Sequence, residues 1–223
     1  MDVVDAVKSR ISTRAFLNTP IDDAEIRSLL NDARWSPSGG NLQPWRVHVV
    51  TGDARNRLVA GVKDAIAANP FADEAELAIY PPGLWEPYRS RRFAIGEAMY
   101  EKLGVGRNDK PARLQWLLQN YEFFGAPVGL FFSTDRRFDR GQWAHLGMFM
   151  QTIALLAEER GLATCMQEAW ATRAKTVSAF LDLADEEMLY CGMALGRANP
   201  AAPVNSLRSD RAPLDEIATF HVE

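Results

Sequence analysis

The segment Ser36–Trp45 combines residue types that suit the binding of a flat molecule. It reads Ser-Pro-Ser-Gly-Gly-Asn-Leu-Gln-Pro-Trp and lies between an expected helix and an expected strand. Gly39 and Gly40 permit positive φ angles and a close approach of a ligand to the backbone, while the two prolines stiffen the segment. We predict a rigid polar cradle that presents backbone groups, Ser38 and Asn41 to a planar ligand. An ordinary helix-to-strand loop is the alternative.

The segment Arg10–Arg14 has the spacing of an anion site. It reads Arg-Ile-Ser-Thr-Arg, and its two β-branched residues favour an extended backbone. Alternate side chains of an extended chain point to one side, so Arg10, Ser12 and Arg14 would share a face. Each guanidinium group offers two parallel donors to an oxyanion. We therefore predict a phosphate site here; a solvated basic turn is the alternative.

The sequence shows no familiar set of catalytic side chains. It contains no Gly-x-Ser-x-Gly elbow, no P-loop and no His-Glu-x-x-His motif. His48, His145 and His221 are too scattered to predict a metal site, and we expect His145 to be a hydrogen-bonded core or interface residue. If the protein is an enzyme, we expect its reactive group to belong to a bound cofactor.

Composition narrows the class of protein. The chain has 223 residues, of which 47% are hydrophobic and 24% charged, as in an ordinary globular domain. Its net charge of −4 gives no support to nucleic-acid binding, and no apolar run is long enough to span a bilayer. Cys165 and Cys191 fit no metal or redox spacing, so we expect reduced core thiols in a cytoplasmic protein.

Hydrophobic periodicity predicts a mixture of helices and strands. The most apolar helix spans residues 142–160, which indicates a central, largely buried position, and Gly161 stands at its expected end. Further helices are predicted at about 2–9, 23–36, 53–68, 90–103, 111–124 and 173–181, and strands at about 46–51, 128–133, 162–166 and 188–196.

Two irregular regions remain. Residues 69–88 are rich in proline and aromatic residues, and they form either a lid over a pocket or a satellite cluster on the surface. Residues 198–213 form a long arm after the last strand. This arm either wraps a partner subunit or a ligand, or is a loosely packed tail. Arg208 and Arg211 on this arm either add charge to the phosphate site or lie in solvent.

Four separated segments together resemble the FMN-dependent nitroreductase family, chiefly its bacterial nitrobenzoate and nitroaromatic reductases. Ser209 departs from the pattern, because many relatives have a basic residue there. The four segments are Arg10–Arg14, Pro37–Trp45, Gly161–Cys165 with the following Gln167-Glu168-Ala169, and Arg211–Glu216.

The resemblance implies an α+β fold, with a central mixed, mainly antiparallel sheet surrounded by helices, in one domain spanning residues 1–223. It implies an intertwined homodimer with exchanged C-terminal arms (198–223) and a lid at about 69–92. One non-covalent FMN per subunit would lie at the interface. The implied cofactor-binding residues are Arg10, Ile11, Ser12, Arg14, Arg208 and Arg211 of one chain, Pro37, Ser38, Gly39, Asn41 and Gln43 of the other, and Gln167, Glu168 and Ala169.

The same resemblance implies a reaction. NADPH or NADH would reduce FMN, and a nitroaromatic, a quinone or a similar electron-poor acceptor would then reoxidise it in a ping-pong cycle. Glu168 and Ala169 would orient the flavin through backbone donors near N5, with no catalytic side chain and no metal. The expected substrate-contacting residues are Tyr80, Trp85, Tyr88 and Phe124.

The sequence leaves other functions open. Reductive dehalogenation, enone reduction and flavin destruction occur on the same fold, because a fold does not fix a function. A flavin-binding protein without turnover is the alternative from another class. Within the reductase interpretation, Arg89, Arg91 and Arg92 near the lid would favour a carboxylated or otherwise anionic aromatic.

Overall fold

An antiparallel sheet organises the fold. The structure, a computed structural model, describes residues 1–70, 72–73 and 76–222. Strand β5 is central, because β3 pairs along one edge of it and β4 along the other, while β2 extends the sheet beyond β3. The strands are β1 (Phe16–Leu17), β2 (Arg46–Thr51), β3 (Val128–Asp135), β4 (Ala163–Gln167) and β5 (Glu187–Ala198).

Helices surround this sheet, which confirms the predicted α+β class. The parallel contact that makes the sheet mixed is a single bridge between Ser12 and Thr164. The helices are α1 (Val3–Ser9), α2 (Asp23–Ala33), α3 (Gly52–Ala68), α4 (Tyr88–Lys102), α5 (Lys110–Leu118), α6 (Arg140–Glu159), α7 (Ala174–Leu181) and α8 (Leu214–Ile217). Within the described residues, none of them is long and apolar enough to cross a membrane.

The core lies on both faces of the sheet, and β3 is buried along almost its whole length. Leu130 and Phe132 join α2 and α6 in one cluster, whereas Phe131, which points the other way, joins α3 and Trp170 in a second cluster. This alternation follows from the two-residue period of a strand. Each fully buried side chain of this size contributes about 1.5–3 kcal/mol to folding.

Helix α6 agrees with the prediction for residues 142–160. Asp139 and Gln142 form a capping box at its start, which satisfies backbone donors that the first turn leaves unpaired. Gly161, with a φ of +66°, ends it. The buried side of α6 carries Phe149, Met150 and Ile153. Because these side chains anchor the helix in the core, α6 is a rigid support for the segments that pack on it.

The predicted helix 111–124 is wrong in its second half. Helix α5 ends at Leu118, and a 3₁₀ segment follows in which Phe123 and Phe124 have positive φ angles of 54° and 52°. This turn places Phe123 against Gly129, where a Cβ atom would lie 2.3 Å from the phenyl ring. Burial of two aromatic rings therefore outweighs the helical preference of the local sequence.

The region predicted as a lid has no helix or strand in its described residues before α4. Phe71, Glu74 and Ala75 of the lid, and Glu223 of the arm, lie outside the described residues. The start of the lid is anchored by Arg173, which is 3% exposed, donates to the carbonyl of Asn69 at 3.0 Å and lies 3.5 Å from the carboxylate of Asp73.

Candidate functional site

Arginines from the two ends of the chain line one cavity of about 160 Å³. Arg10 and Arg14 come from the segment after α1, and Arg208 and Arg211 come from the arm. Among the described residues, none of the four has an acidic partner within ion-pair distance. The Nε atom of Arg10 is buried without a hydrogen-bond partner, a costly state unless an acceptor fills the cavity.

The sheet fixes the first half of this cluster. Thr13 is buried, and its N–H donates to the carbonyl of Thr164 at 2.9 Å. The segment is therefore extended beside β4, and Arg10, Ser12 and Arg14 line the cavity while Thr13 faces the core. Ile11 lines the cavity as well. The predicted face of two guanidinium groups and a hydroxyl is present.

Asn205 joins the arm to this segment. Its side chain accepts a hydrogen bond from the N–H of Arg14 at 2.9 Å and donates to the carbonyl of Ala15 at 2.8 Å. The arm therefore begins at a fixed point, from which Arg208 and Arg211 reach the cavity. No local pattern predicts this link, because Arg14 and Ala15 lie about 190 positions from Asn205.

The cavity suits a phosphate group. A phosphate dianion accepts charge-assisted hydrogen bonds, which arginine donates in pairs. Ser209, where the family pattern has a basic residue, accepts from Arg211 through its Oγ atom at 2.6 Å. It thus steadies the guanidinium group of Arg211 rather than adding a charge.

The cradle Ser36–Trp45 is docked on one face of α6. The N–H of Gly39 donates to Nε2 of His145 at 3.2 Å, and Trp45 stacks on Phe149 with ring centroids 4.7 Å apart. His145 and Phe149 are four residues apart and so lie on the same side of the helix. The expectation that His145 is a hydrogen-bonded core or interface residue agrees with this contact.

Internal hydrogen bonds hold the shape of the cradle. The N–H of Gln43 donates to Oγ of Ser38 at 2.9 Å, and its side chain donates to the carbonyl of Asn41 at 3.1 Å. Asn41 and Gln43 have positive φ angles of 54° and 47°, an uncommon conformation for these residue types. Within the described residues the side chain of Asn41 makes no hydrogen bond, so its amide is available to a ligand. Pro37 is exposed at the edge of the cradle.

The end of β4 contributes backbone donors rather than a side chain. Gln167 is 1% exposed, and its amide donates to the carbonyl of Asn120 at 2.7 Å and accepts from Nε1 of Trp170 at 3.3 Å. Its side chain is therefore occupied in the core. Glu168 and Ala169 open a 3₁₀ segment, whose first N–H groups have no partner within the helix. Partial burial raises the pKa of Glu168.

Three of the four aromatic residues predicted to contact substrate are exposed. The indole of Trp85 and the ring of Tyr88 meet edge to face at 5.5 Å, and Tyr80 lies under the guanidinium group of Arg92 at 4.3 Å. Phe124 differs, because it is 6% exposed and packs on Trp116 in the core. Its side chain has no face to offer a substrate, so we leave it out of the substrate wall.

The arginine cavity and the cradle are separate in one chain. The residues that line the cavity include none of Ser36–Trp45. No group of three or more His, Cys, Asp or Glu side chains is placed to hold a metal ion in the described part of the chain.

Comparison with known proteins places the chain in a family. The family model described as Nitroreductase family matches residues 7–197. The 4-nitrobenzoate reductase of Pseudomonas putida is 42% identical over 92% of this chain and 89% of its own length. The nitrobenzene nitroreductase of Ectopseudomonas oleovorans is 35% identical over 97% of this chain and 95% of its own.

A solved structure agrees over the whole chain. The FMN- and NADPH-dependent nitroreductase NfnB from Sphigopyxis sp. strain HMH superposes with a TM-score of 0.97 and 42% identity, with 100% of both chains covered. The matching family model spans the arginine segment, the cradle and the β4 turn. The chain therefore belongs to the nitroreductase family.

Proposed function

We propose that this protein is an FMN-dependent NAD(P)H oxidoreductase that reduces nitroaromatics, quinones or similar electron-poor acceptors. The observation that carries the proposal is the cavity in which four arginines lack acidic partners and the Nε atom of Arg10 lacks an acceptor. The curated relatives reduce nitrobenzene and 4-nitrobenzoate, which supports the same class of acceptor here.

The arginine cavity would bind the phosphate of FMN. Two or three charge-assisted hydrogen bonds of about 1.5–3 kcal/mol each give roughly 3–9 kcal/mol before ordering costs. Burial of the ring system on the cradle adds to this, so we expect micromolar or tighter non-covalent binding, at about −8 kcal/mol or better.

The remaining residues would place the reacting ring. When bound, FMN would supply the redox chemistry between NAD(P)H and the acceptor. The N–H groups of Glu168 and Ala169 would donate to the ring near N5, and the side-chain amide of Asn41 would bind it from the cradle. This arrangement of donors requires no acidic or basic side chain at the reacting atom.

A homodimer with two composite sites would complete each pocket. The cradle of one chain and the arginine cavity of the other would meet, and the absence of cradle residues from the cavity lining supports this arrangement. Exposed apolar side chains support an interface: Val3, Val4 and Val7 on α1, and Leu214, Ile217, Phe220 and Val222 on the arm. Exposed apolar side chains that lie together are typical of a surface that is covered in the assembly.

The substrate would stack on the ring beneath the lid. Trp85 and Tyr88 are exposed on the lid and at the start of α4, and their flat faces suit an aromatic acceptor. Tyr80 is exposed as well, but its ring lies under Arg92 in the cavity between α4 and the arm. Because donor and acceptor would use the same face of the ring in turn, kinetics with both substrates varied should give parallel double-reciprocal lines. Intersecting lines would contradict one shared site.

We also propose a cytoplasmic location. Cys165 and Cys191 are free and buried, and burial raises the pKa of the Cys165 thiol to about 11 and of the Cys191 thiol to about 12. Such thiols are inert core residues, which fits a reducing compartment where NAD(P)H is available.

A further inference from the structure

A second, larger cavity adjoins the arginine cavity. It has a volume of about 540 Å³ and lies between α4 and the arm. The two cavities share Ile95 and three arm residues, Arg208, Ser209 and Arg211. A ligand in the larger cavity would therefore lie beside the phosphate of FMN.

One arginine of this cavity is free to bind a second anion. Three arginines stand at the start of α4, and two of them have partners: Arg89 pairs with Glu86, and Arg91 pairs with Glu216. Arg92 lines the cavity and forms no ion pair with any described residue. Because Arg208 and Arg211 are assigned to the phosphate of FMN, the charge of Arg92 is left for another group.

The rest of the lining suits an aromatic ring attached to that anion. The guanidinium group of Arg92 lies over the face of the Tyr80 ring, 4.3 Å from its centroid, so an aromatic side chain and a cation line the same part of the cavity. Ala94, Ile95 and Ala98 add an apolar wall. The cavity is lined by two carboxylates, Glu216, which pairs with Arg91, and Asp210. The carboxylate of Asp210 can accept a hydrogen bond from a hydroxyl or amino group of the same ligand.

The position of the larger cavity argues against a short ligand that also reacts at N5 of FMN. Neither cavity is lined by Gln167, Glu168 or Ala169, so with FMN placed as proposed the larger cavity would lie at the phosphate end of the cofactor and not at the N5 end. A molecule that reacts at N5 and also fills this cavity must be long. A pyridine dinucleotide is long enough, and NADPH carries an aromatic adenine and a phosphate monoester at its far end.

We propose that the cavity between α4 and the arm binds the adenosine 2′-phosphate half of NADPH, with Arg92 on the 2′-phosphate, and thereby sets a preference for NADPH over NADH. This inference rests on the proposed oxidoreductase function. The same chemistry, an anion on an aromatic ring, is found in a nitrobenzoate. The length argument favours the dinucleotide, and the experiment separates the two.

The test compares nucleotide preference in the holoenzyme. Loss of one charge-assisted contact in Arg92→Gln should lower kcat/KM with NADPH about tenfold, while kcat/KM with NADH stays within about twofold of the wild type. The kcat/KM of Arg92→Lys with NADPH should lie between the values of the wild type and of Arg92→Gln, because lysine keeps the charge without the paired donors. Arg89→Gln is the matched control: it lies on the same helix, outside the cavity lining, and should keep the NADPH preference.

A binding measurement separates this inference from the proposed function. Adenosine 2′,5′-bisphosphate should bind the wild-type holoenzyme in calorimetry, and about tenfold more weakly to Arg92→Gln. That result supports the cavity assignment even if neither nucleotide reduces the flavin, whereas failure of both nucleotides would overturn only the proposed function.

Two results would overturn the inference. One is an equal change, or no change, in kcat/KM for NADPH and NADH in Arg92→Gln. The other is an unchanged nucleotide preference accompanied by a lower ratio of activity on 4-nitrobenzoate to activity on nitrobenzene, which would assign Arg92 to the acceptor.

Discussion

The backbone N–H of Gly39 donates a hydrogen bond to Nε2 of His145 across 3.2 Å. The same imidazole ring crowds residue 39, because a Cβ atom there would be 3.2 Å from it. The approach of the helix, and not a positive φ angle, therefore favours glycine at this position. Because Nε2 accepts, the ring proton is on Nδ1, which is buried without a partner in the described part of one chain.

We expect His145→Phe to loosen the cradle while keeping a ring of similar size on α6. Loss of the acceptor should weaken FMN binding by about 1 kcal/mol, a roughly fivefold rise in Kd. Quenching of flavin fluorescence measures the Kd, and His221→Phe, in the exposed tail, is the control. Equal Kd values for both variants would show that α6 does not hold the cradle through His145.

The arginine cavity gives a second prediction. Arg211→Ala should raise the Kd for FMN about 10- to 100-fold, because it removes charge-assisted hydrogen bonds of about 1.5–3 kcal/mol. Arg27→Ala removes an exposed arginine on α2 that is paired with Asp23, and it should leave the Kd unchanged. A purified Arg211→Ala protein with a full flavin complement and normal affinity would refute the phosphate role.

Mixed dimers test whether each site is built from two chains. A subunit with Arg10→Ala and Arg211→Ala and a subunit with Asn41→Ala and Gly39→Val should each bind FMN poorly as homodimers. The isolated heterodimer should recover about one FMN, because one of its two sites then receives an intact cavity and an intact cradle. Sites contained within single chains would recover no flavin on mixing, which would contradict the composite arrangement.

His48 gives a pH dependence of stability. Its ring is within hydrogen-bond distance of Ser133 at 3.1 Å; burial lowers its pKa, and Glu187 only partly opposes this. The unfolded chain therefore takes up a proton below about pH 6.5 that the folded chain resists. Consequently the free energy of unfolding should fall as the pH falls through that range.

Urea unfolding at pH 7.5 and 5.5, at one protein concentration, measures this loss. His48→Gln should reduce the difference between the two pH values, because it removes the titrating group from the buried position. His221→Gln should retain the wild-type difference. An identical pH dependence in the wild type and in His48→Gln would exclude His48 as its source.

Local patterns in the sequence predicted two separate parts of the site, the arginine segment and the cradle. The alternation of Arg10, Ser12 and Arg14 predicted a shared face, because an extended backbone imposes a two-residue period. The cradle was predicted as a rigid turn, yet positive φ angles occur at Gly40 and at the non-glycine residues Asn41 and Gln43, and not at Gly39. Gly39 instead contacts His145, which lies 106 positions away, and no local pattern predicts that contact.

Long-range packing explains what the sequence could not predict. Phe124 was expected to contact substrate because it is aromatic and follows a predicted helix, but the left-handed turn at Phe123 and Phe124 buries both rings. The contact of Asn205 with Arg14 similarly joins residues that share no local pattern. For Arg208 and Arg211 the local sequence left two alternatives, the phosphate site or solvent, and the family resemblance favoured the first.

The most direct test of the central claim is a visible spectrum of the purified protein, recorded without oxygen before and after addition of NADPH and then of 4-nitrobenzoate. The account predicts a yellow protein with about one FMN per subunit, whose absorbance bleaches with NADPH and returns with the nitro compound. A colourless protein that takes up no added FMN would contradict the cofactor assignment. A yellow protein that neither NADPH nor NADH bleaches would contradict the proposed reaction.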